Sequence, residues 1–317
     1  MVLFSPTKKD IKSIEDTARA VLGFPTSRKW ESKDKQARFK SLFGANSTVV
    51  TAIWNEIQNH IDEDVFRKHL LYGLLFMKVY STEEVHCAIV GWPSVKTFRE
   101  KAWHIVECIA ELKPKLILIE NRFINAPPET RVGFKRSFLT DDACDFGINE
   151  PYPWDRKWYA VKFNGPGVKY NVAIAIHSDN ICYASGPHFS GESETTIFKE
   201  NLGTAIPEDE PVEIDGCTGG DQRQMKPQAG DNRKVRKQKS IFRGRQETIF
   251  SRMKQFNVLN SHFRHNETSE EHTLYKHQVC FDAILVITQL KFMIGGDQLF
   301  DGASSKQQCV TTAEETY

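Results

Sequence analysis

The sequence reads Phe138-Leu139-Thr140-Asp141-Asp142-Ala143-Cys144-Asp145-Phe146 near its middle, an apolar run that carries a cluster of carboxylates and begins a predicted β-sheet. Two later acids extend this cluster. Asp215 ends the apolar run Val212-Glu213-Ile214, and Glu247 lies in the helical pattern of a basic segment. Neighbouring strands place residues side by side, and a helix can pack on a sheet edge. We therefore expect Asp142, Asp215 and Glu247 to face one space.

Around this run the residue pattern is typical of β-strands. The predicted strands cover 138–146, 158–163, 169–177 and 181–185, with Asn164-Gly165-Pro166-Gly167 as a turn. A helix at 194–202, a strand at 211–215 and two helices near 241–259 and 275–293 follow. Strands in succession, then helix, strand and helix, indicate an α+β plan rather than a doubly wound nucleotide-binding fold.

The residues before this sheet have helical periodicity. From 47 to 112, apolar residues recur at three- and four-residue steps, and Ser81-Thr82-Glu83-Glu84 is a capping box that begins a short helix. Gly91-Trp92-Pro93 breaks that helix, and Ser94 caps a longer one. The sequence thus predicts an all-helical N-terminal domain.

A short helix, a tight turn and a longer helix form the outline of a helix-turn-helix. On that interpretation Lys96, Arg99 and Lys101 lie at the exposed start of the second helix, where a recognition helix meets DNA. An ordinary helical bundle with a solvated basic edge fits the same pattern.

Four segments are predicted along the chain. Residues 1–40 are polar and rich in Lys and Asp, which indicates a flexible N-terminal arm, and residues 41–128 form the helical, helix-turn-helix-like domain. The Pro pair at 127–128 cannot continue a helix and marks a boundary. Residues 129–295 form the α+β domain, and residues 296–317 form a polar tail.

Composition predicts a soluble, intracellular protein. The 317 residues are 40% hydrophobic and 26% charged, so the chain can bury the cores of two compact domains. The formal net charge is +1, and any affinity for nucleic acid must therefore come from local clusters of charge. Seven irregularly spaced Cys indicate a reducing compartment, and residues 1–9 lack the apolar core of a signal peptide. We expect no membrane span, and a nuclear location if the source is eukaryotic or a cytoplasmic one otherwise.

Clustered carboxylates of this kind suit divalent metal. Hard oxygen ligands bind Mg²⁺ or Mn²⁺, and two such ions about 3.5–4 Å apart can promote phosphodiester cleavage. Without metal, three carboxylates in one place would repel and raise one another's pKa. On spacing alone, each acid could equally be a solvated residue of a turn or helix. Asp141 and Asp145 are alternatives for the first ligand.

Residues 138–293 carry a longer series of matches, which resembles the catalytic domain of Harbinger-type transposases in the DDE endonuclease superfamily. The matching segments, in order, are Asp142-Ala-Cys-Asp-Phe-Gly-Ile-Asn-Glu-Pro151, Arg156-Lys-Trp-Tyr159, Lys162-Phe-Asn-Gly-Pro-Gly-Val-Lys-Tyr170, Val212-Glu-Ile-Asp-Gly216, Arg243-Gly-Arg-Gln-Glu-Thr248, Phe263-Arg-His265 and Val286-Ile-Thr-Gln-Leu290. The first 130 residues are also similar to the helical, helix-turn-helix-bearing part that precedes this domain in such proteins.

The resemblance implies a ribonuclease H-like mixed sheet flanked by helices. It implies that Asp142, Asp215 and Glu247 are the catalytic, metal-binding residues and that the cofactor is Mg²⁺ or Mn²⁺, as two ions. The implied activity is that of a transposase, which hydrolyses a phosphodiester at a transposon end and then joins the freed 3′-hydroxyl to target DNA. The implied partner is DNA, both transposon ends and target, and the resemblance leaves open a separate DNA-binding protein and a homo-oligomer.

Three segments depart from the family pattern. Ala143-Cys144 replaces the usual Gly-Thr, Asp215-Gly216-Cys217-Thr218 lacks the usual aromatic residue, and Glu192-Ser193-Glu194 replaces Trp-Asn-Asp. One alternative is therefore a transposase-derived DNA-binding protein that keeps the helical domain and the basic segment but has lost cleavage. Another is a different two-metal phosphoesterase on the same fold.

A basic tract lies ahead of Glu247. Its seven cations are Arg233, Lys234, Arg236, Lys237, Lys239, Arg243 and Arg245. We expect them to bind DNA phosphates. Such contacts give an affinity that falls as the salt concentration rises and does not depend on the DNA sequence. A disordered solvated loop and a nuclear-localisation signal are alternatives for this tract.

His262, His265, His277 and Cys280 have separations that a zinc site could use. Against zinc, Cys280 lies in an apolar helix where Cys packs well, and Phe263-Arg264-His265 belongs to the family match without any metal. The alternative is that Arg264 or His265 contacts phosphate or supports Glu247.

Overall fold

A computed structural model describes residues 5–23, 33–91, 93–128, 136–215, 220–265 and 269–299. The chain is α+β, with a mixed six-stranded sheet flanked by helices. Within the described residues, the helices before the sheet are α1 Lys8–Val21, α2 Lys33–Phe43, α3 Ser47–Ile57, α4 Arg67–Val79, α5 Glu83–Ile89, α6 Val95–Ala110 and α7 Lys113–Leu116.

The first two helices belong to the core of the helical part. Thr7 and Asp10 form a capping box that begins α1, and the buried Ile14 and Ala18 of α1 pack in the same cluster as Phe39 of α2. The prediction of a flexible arm over residues 1–40 is therefore wrong where α1 and α2 lie. Two apolar residues one helical turn apart are enough to bury one face of an otherwise polar helix. Residues 1–4 and 24–32 are outside the described ranges.

The sheet combines an antiparallel meander with parallel strands. Its strands are β1 Leu139–Gly147, β2 Tyr159–Ala160, β3 Gly165–Ala175, β4 Ile181–Phe189, β5 Val212–Ile214 and β6 Gln224–Met225. β3 pairs antiparallel with β1, with β4 and with the two-residue β2. β5 pairs parallel with β1, and β6 pairs parallel with β5. The order through the middle of the sheet is therefore β4-β3-β1-β5-β6.

The succession of β1 to β5 along the chain was predicted correctly, but β6 was not predicted and several boundaries differ. β2 covers two residues rather than 158–163, because the chain already turns at 161–164. Asn164 has a φ of 54°, which closes this turn before Gly165. β3 therefore begins at Gly165 instead of Lys169, and β4 continues to Phe189 instead of Ser185.

Helices cover both faces of the sheet. One face, which includes Leu139 and Ala173, packs against α8 Glu194–Glu200 and α9 Leu202–Ala205, which replace the single helix expected at 194–202. The other face, which includes Phe146 and Val172, lies in the cluster formed with α10 Arg233–Met253, α11 Asn257–Asn260 and α12 Glu270–Met293.

The helices α10 and α12 begin earlier than the predicted 241 and 275. The side chain of Asn232 accepts a hydrogen bond from the backbone N–H of Val235 at 3.0 Å, and that of Ser269 accepts one from His272 at 3.2 Å. The early start places the basic tract on a regular helix, so the loop alternative is wrong. None of the helices in the described part of the chain is long and apolar enough to cross a bilayer.

One core runs through the helical part and the sheet. α12 packs against α6, and α11 packs against α4. Tyr80 stacks on Phe263 with ring centroids 6.2 Å apart, and its hydroxyl accepts a hydrogen bond from the backbone N–H of Arg264 at 2.9 Å. The predicted boundary near residue 128 therefore does not separate two cores.

The last described residues are also packed. Leu299 is buried, and Asp297 pairs with Lys40, Arg252 and Lys291 at 3.1, 3.6 and 3.6 Å. The prediction that a tail begins at 296 is wrong for these residues, because ion pairs hold a segment that has no hydrophobic period. Residues 300–317 are outside the described ranges.

Candidate functional site

The sheet register places Asp142 and Asp215 side by side. β5 runs parallel to β1 with Ile214 beside Asp141, so the next residues along the two strands are Asp215 and Asp142. Neighbouring strands lie about 4.8 Å apart, which brings the two carboxyl groups to one edge of the sheet. Their charges interact, since Asp215 contributes to the raised pKa of Asp142.

Helix α10 covers this edge, and Gln246 fixes its position. The Nε2 atom of Gln246 donates to the backbone O of Thr140 at 2.7 Å, to its Oγ1 at 2.9 Å and to the backbone O of Val172 at 3.3 Å. Because side chains alternate along a strand, Asp142 lies on the same face as Thr140 and faces α10. Glu247 follows Gln246 directly, and its side chain is 64% exposed on the adjoining surface of α10.

Arg243 connects Asp215 with Glu247. Its Nε atom lies 3.5 Å from Oδ2 of Asp215 and 3.0 Å from Oε1 of Glu247, which is one helical turn further along α10. The two carboxylate oxygens are therefore no further apart than the sum of these distances. Asp142 and Asp215 are thus neighbours, whereas Glu247 is linked to Asp215 through a guanidinium group and lines a separate pocket beside Thr248 and Arg252.

A cleft of about 230 Å³ opens between the sheet edge and the first half of α10. The acidic residues that line its sheet side are Asp141, Asp142, Glu213 and Asp215. The cations on its helix side are Arg236, Lys239 and Arg243. This separation of charge suits a ligand that has both a cationic and an anionic part, such as a metal-bound phosphate.

Asp142 has an electrostatic environment that disfavours its charged form. Burial raises the pKa of its carboxyl to about 6, with additional contributions from Glu194 and Asp215, although Lys162 opposes the shift. The pKa of the Lys162 ammonium is raised, because the negative charges of Asp142 and Glu194 outweigh the lowering effect of partial burial. Lys162 is thus a cation of the site that the sequence did not indicate. A metal ion bound at Asp142 would favour the charged carboxylate.

Asp141 and Asp145 lie on the opposite face of β1 from Asp142. The Nδ2 atom of Asn171 donates to Oδ2 of Asp141 at 3.1 Å, and burial raises the pKa of Asp141 to about 8, so its carboxyl is largely protonated at pH 7. Asp145 is also buried. Their direction away from α10 and Glu247 leaves Asp142 as the candidate for the first ligand.

Glu213 is a fourth carboxylate of the cleft, which the sequence reasoning missed. It lies beside Thr140 in the register of β5 and β1, on the same face as Asp215. The Ser137 hydroxyl donates to its Oε1 at 3.2 Å, and no donor among the described residues reaches its buried Oε2. Burial raises the pKa of its carboxyl. Side chains two residues apart on a strand face the same side of the sheet. The position of Glu213 two residues before Asp215 was therefore the signal available in the sequence.

The donor set fits a divalent cation in its chemistry. Carboxylate oxygens are the ligands that Mg²⁺ and Mn²⁺ prefer, and Asp215 and Glu247 already share one positive group, Arg243. Among the residues that the structure describes, however, no three Asp, Glu, His or Cys side chains are grouped so that they could hold a metal. A metal ion between Asp215 and Glu247 would therefore require Arg243 to move away from them.

Most of the basic tract lies on the exposed first half of α10. Its exposed members are Arg233, Lys234, Arg236, Lys237 and Arg243. Lys239 is partly buried, donates to the backbone O of Lys226 at 2.9 Å and pairs with Asp231 at 3.1 Å. These cations continue the helix side of the cleft away from the acids.

Arg245 does not belong to this surface. Its side chain is 6% exposed, and its Nη1 and Nη2 atoms donate to the backbone O atoms of Ile176, at 2.5 Å, and Ser178. A guanidinium buried in this way holds the β3–β4 turn against α10 and cannot reach a DNA phosphate. The prediction that Arg245 binds DNA is therefore wrong, because residues two apart on a helix point in nearly opposite directions.

The three cations of the helical part lie on the first half of α6, after α5 and a turn. Each pairs with an acid: Lys96 with Glu100 at 3.8 Å, Arg99 with Glu83, and Lys101 with Asp64. These pairs offset much of the positive charge that a DNA-binding helix would present.

The four residues with zinc-like spacing do not form a metal-binding group. His277 and Cys280 are fully buried on α12, where the hydroxyl of Tyr170 lies 2.8 Å from Nδ1 of His277 and burial lowers the pKa of His277 to about 3. His265 packs against the Trp103 ring with centroids 5.2 Å apart. These side chains stabilise the aromatic core between α6, α12 and the sheet.

Comparisons of this chain with family models, curated proteins and solved structures found no match.

Proposed function

We propose that this protein is a metal-dependent DNA endonuclease of the DDE transposase type, with a ribonuclease H-like sheet. The observation that carries the proposal is the position of Asp215, directly after the parallel strand β5, next to Asp142 on β1, with Arg243 between Asp215 and Glu247. The strand order β4-β3-β1-β5-β6, antiparallel in its first part and parallel in its second, supports the fold part of the proposal.

Each residue of the site has a distinct role in this proposal. Asp142, Asp215 and Glu247 would hold divalent ions, and such ions would supply an activated water and stabilise the leaving 3′-oxygen. Gln246 keeps α10 against β1, so that Glu247 stays at the sheet edge. Arg243 turns from the carboxylates to the phosphate next to the cleaved bond.

The exposed cations at the start of α10 bind the DNA backbone ahead of the cleft. Such contacts give affinity without sequence preference and weaken as salt rises. The α5–α6 pair is the proposed second DNA contact. Electrostatic attraction contributes less to the DNA affinity there, because Lys96, Arg99 and Lys101 are paired with acids. Strand transfer to target DNA completes the proposed reaction.

Incubation of the purified protein with supercoiled plasmid, with and without Mn²⁺, tests the proposal. We expect nicking that requires metal and is absent in Asp142→Asn and Glu247→Gln, while both variants still bind the plasmid. Glu208→Gln, at an exposed acid outside the cleft, is the matched control and should nick normally. Loss of binding together with nicking would show that these acids only support the fold.

A second candidate is a DNA-binding protein of the same descent that does not cleave. The position of Arg243 between Asp215 and Glu247 favours it, because a guanidinium there neutralises two ligands without any metal. In that case the same assay would give salt-sensitive plasmid binding but no nicking with either Mn²⁺ or Mg²⁺.

A further inference from the structure

The turn between β2 and β3 exposes apolar side chains beside Lys162, whose charge interacts with Asp142. Residues 161–164 form this turn, and Val161 and Phe163 are 83% and 38% exposed. Lys162 lies between them and interacts with Asp142 across the site. The turn thus presents two apolar groups on either side of a cation whose charge influences Asp142, the first candidate ligand.

The Phe163 ring is held against the backbone of β3. A Cβ atom added at Gly167 would lie 2.6 Å from Cζ of Phe163, and one added at Gly165 would lie 3.8 Å from its Cδ2. The ring therefore occupies room that these two glycines leave open. Tyr159 and Asn164 hydrogen-bond through their side chains and tie the two ends of the turn together. One part of the ring is covered by backbone, and the rest faces solvent.

Neither core packing nor a protein interface explains this arrangement well. The core does not use Val161, which is almost fully exposed. A stable protein interface buries about 800 Å² on each partner, which is far more than two apolar side chains around a lysine can offer. A planar base with its phosphate matches the turn in size and chemistry, since aromatic rings stack on bases and ammonium groups bind phosphates.

We propose that Phe163 stacks on an unpaired nucleobase of the DNA at the cleft, while Lys162 binds a neighbouring phosphate and Val161 enters the opened base step. This inference rests on the proposed nuclease function and names its substrate more narrowly, as DNA that is locally unpaired next to the cleaved bond. Apolar side chains that enter a base step in this way are a known means of separating bases.

Binding to two DNAs tests the inference with the full-length protein. One is a fluorescent duplex with a short central stretch of unpaired bases, and the other is the fully paired duplex of the same length, both without divalent metal so that no strand is cut. We expect the wild type to bind the opened duplex on the order of tenfold more tightly than the paired one. Stacking of one base on one aromatic ring increases affinity by about tenfold or more. Phe163→Ala should lose this preference and keep its affinity for paired DNA.

Three further variants separate stacking from folding. Phe163→Trp should keep the preference because it keeps a planar ring, whereas Phe163→Leu should lose it although it preserves apolar volume. Tyr275→Ala removes an aromatic residue that is 51% exposed on α12 and should change nothing. A 2-aminopurine in the unpaired stretch should be quenched by the wild type and by Phe163→Trp alone among the position-163 proteins.

The outcomes distinguish this inference from the function on which it rests. Equal preference for opened DNA in the wild type and Phe163→Ala, or no preference in the wild type, would overturn the stacking role and leave the nuclease proposal intact. If the wild type binds neither DNA, the proposed function fails, and the stacking role fails with it.

Discussion

Burial, with help from Glu194 and Asp215, raises the pKa of Asp142 to about 6, above the ordinary aspartate value of 3.8. A carboxyl whose pKa is higher in the folded than in the unfolded state lowers stability at high pH. The loss begins as the pH rises past the unfolded pKa near 4 and is complete above about 6. At pH 7 the charged Asp142 therefore makes the protein less stable than an uncharged side chain at the same position would.

Asp142→Asn is accordingly expected to raise the free energy of unfolding at pH 7.5 by about 1–2 kcal/mol, a value reduced for partial solvent screening. At pH 4 the two proteins should differ little, because Asp142 is then protonated in the folded state. Urea unfolding at both pH values measures this. Mn²⁺ should stabilise the wild type but not the variant. Equal destabilisation at both pH values would show that Asp142 supports the fold through its hydrogen bonds.

Arg243 occupies the space in which a metal ion would contact Asp215 and Glu247. We expect Arg243→Gln to bind Mn²⁺ several-fold more tightly, since exposed ion pairs of this kind are worth about 0.2–1 kcal/mol each. Titration calorimetry with Mn²⁺ measures the change, and Lys237→Gln on the same helix controls for the loss of one positive charge. Weaker binding by Arg243→Gln would mean that Arg243 orients the carboxylates for the metal.

The position of Asp215 beside Asp142 could be predicted from the sequence, but the surroundings of these two acids could not. A strand pattern that ends in an acid is visible at Asp215, and the register places it beside Asp142. The contact of Arg243 with two acids depends on side-chain conformation, and the approach of Lys162 depends on where a turn closes. Residue type alone also cannot show that Arg243 is exposed and Arg245 is buried.

At the level of elements, α10 has two different halves. Its first half is mostly exposed and basic, whereas Ile249, Phe250 and Met253 bury its second half in the core cluster that it shares with the sheet and α12. The buried half holds Glu247 in place, and the exposed half is available to a ligand. Binding and positioning are thus carried by different parts of one helix.

This division predicts opposite effects of basic substitutions along α10. Lys234→Gln combined with Lys237→Gln should weaken DNA binding and reduce the slope of log K against log salt by about 0.9 for each phosphate that the helix no longer neutralises. Unfolding should be nearly unaffected. Fluorescence anisotropy over a salt series measures the slope, and an unchanged slope would mean that DNA binds to another surface.

Arg245→Gln should instead destabilise the protein by about 2–4 kcal/mol, because two backbone carbonyls lose a charged donor. Urea unfolding measures this loss. A variant of normal stability that binds DNA poorly would place Arg245 on the DNA-binding surface after all.

Elements were predictable where a hydrophobic period spans the segment, as on α6, where the buried Phe98, Ala102 and Ile105 recur at three- and four-residue steps. They were missed where a polar helix is held by few apolar residues, as in α1 with Ile14 and Ala18. The start of α10 was missed because a run of cations contains no hydrophobic period, and the cap at Asn232 is a local signal outside that run. β2 was overestimated because the exposed Val161 and Phe163 have strand-forming side chains but no partner strand.

At the level of the whole molecule, the continuous core predicts one cooperative unfolding transition. α11 and α12 bury their apolar faces partly against α4 and α6, so a fragment of residues 136–299 would expose Phe263 and Cys280. We expect that fragment to be poorly folded, although it contains the whole sheet. Urea curves followed by tryptophan fluorescence and by far-ultraviolet circular dichroism should coincide for the full chain. Two separate transitions, or a well-folded fragment, would support a domain boundary near residue 128.

Asp297 is the meeting point of three segments that are far apart in sequence, since Lys40, Arg252 and Lys291 all contact it. Burial lowers the pKa of Lys291 to about 8, and Asp297 opposes that shift. A recombinant form that stops at residue 295 would leave three cations repelling one another beside α10, the helix of Glu247. Its melting temperature and nicking rate should both fall. Expression boundaries for biochemical work therefore belong beyond Leu299, and an inactive shortened protein would say nothing about the chemistry of the acids.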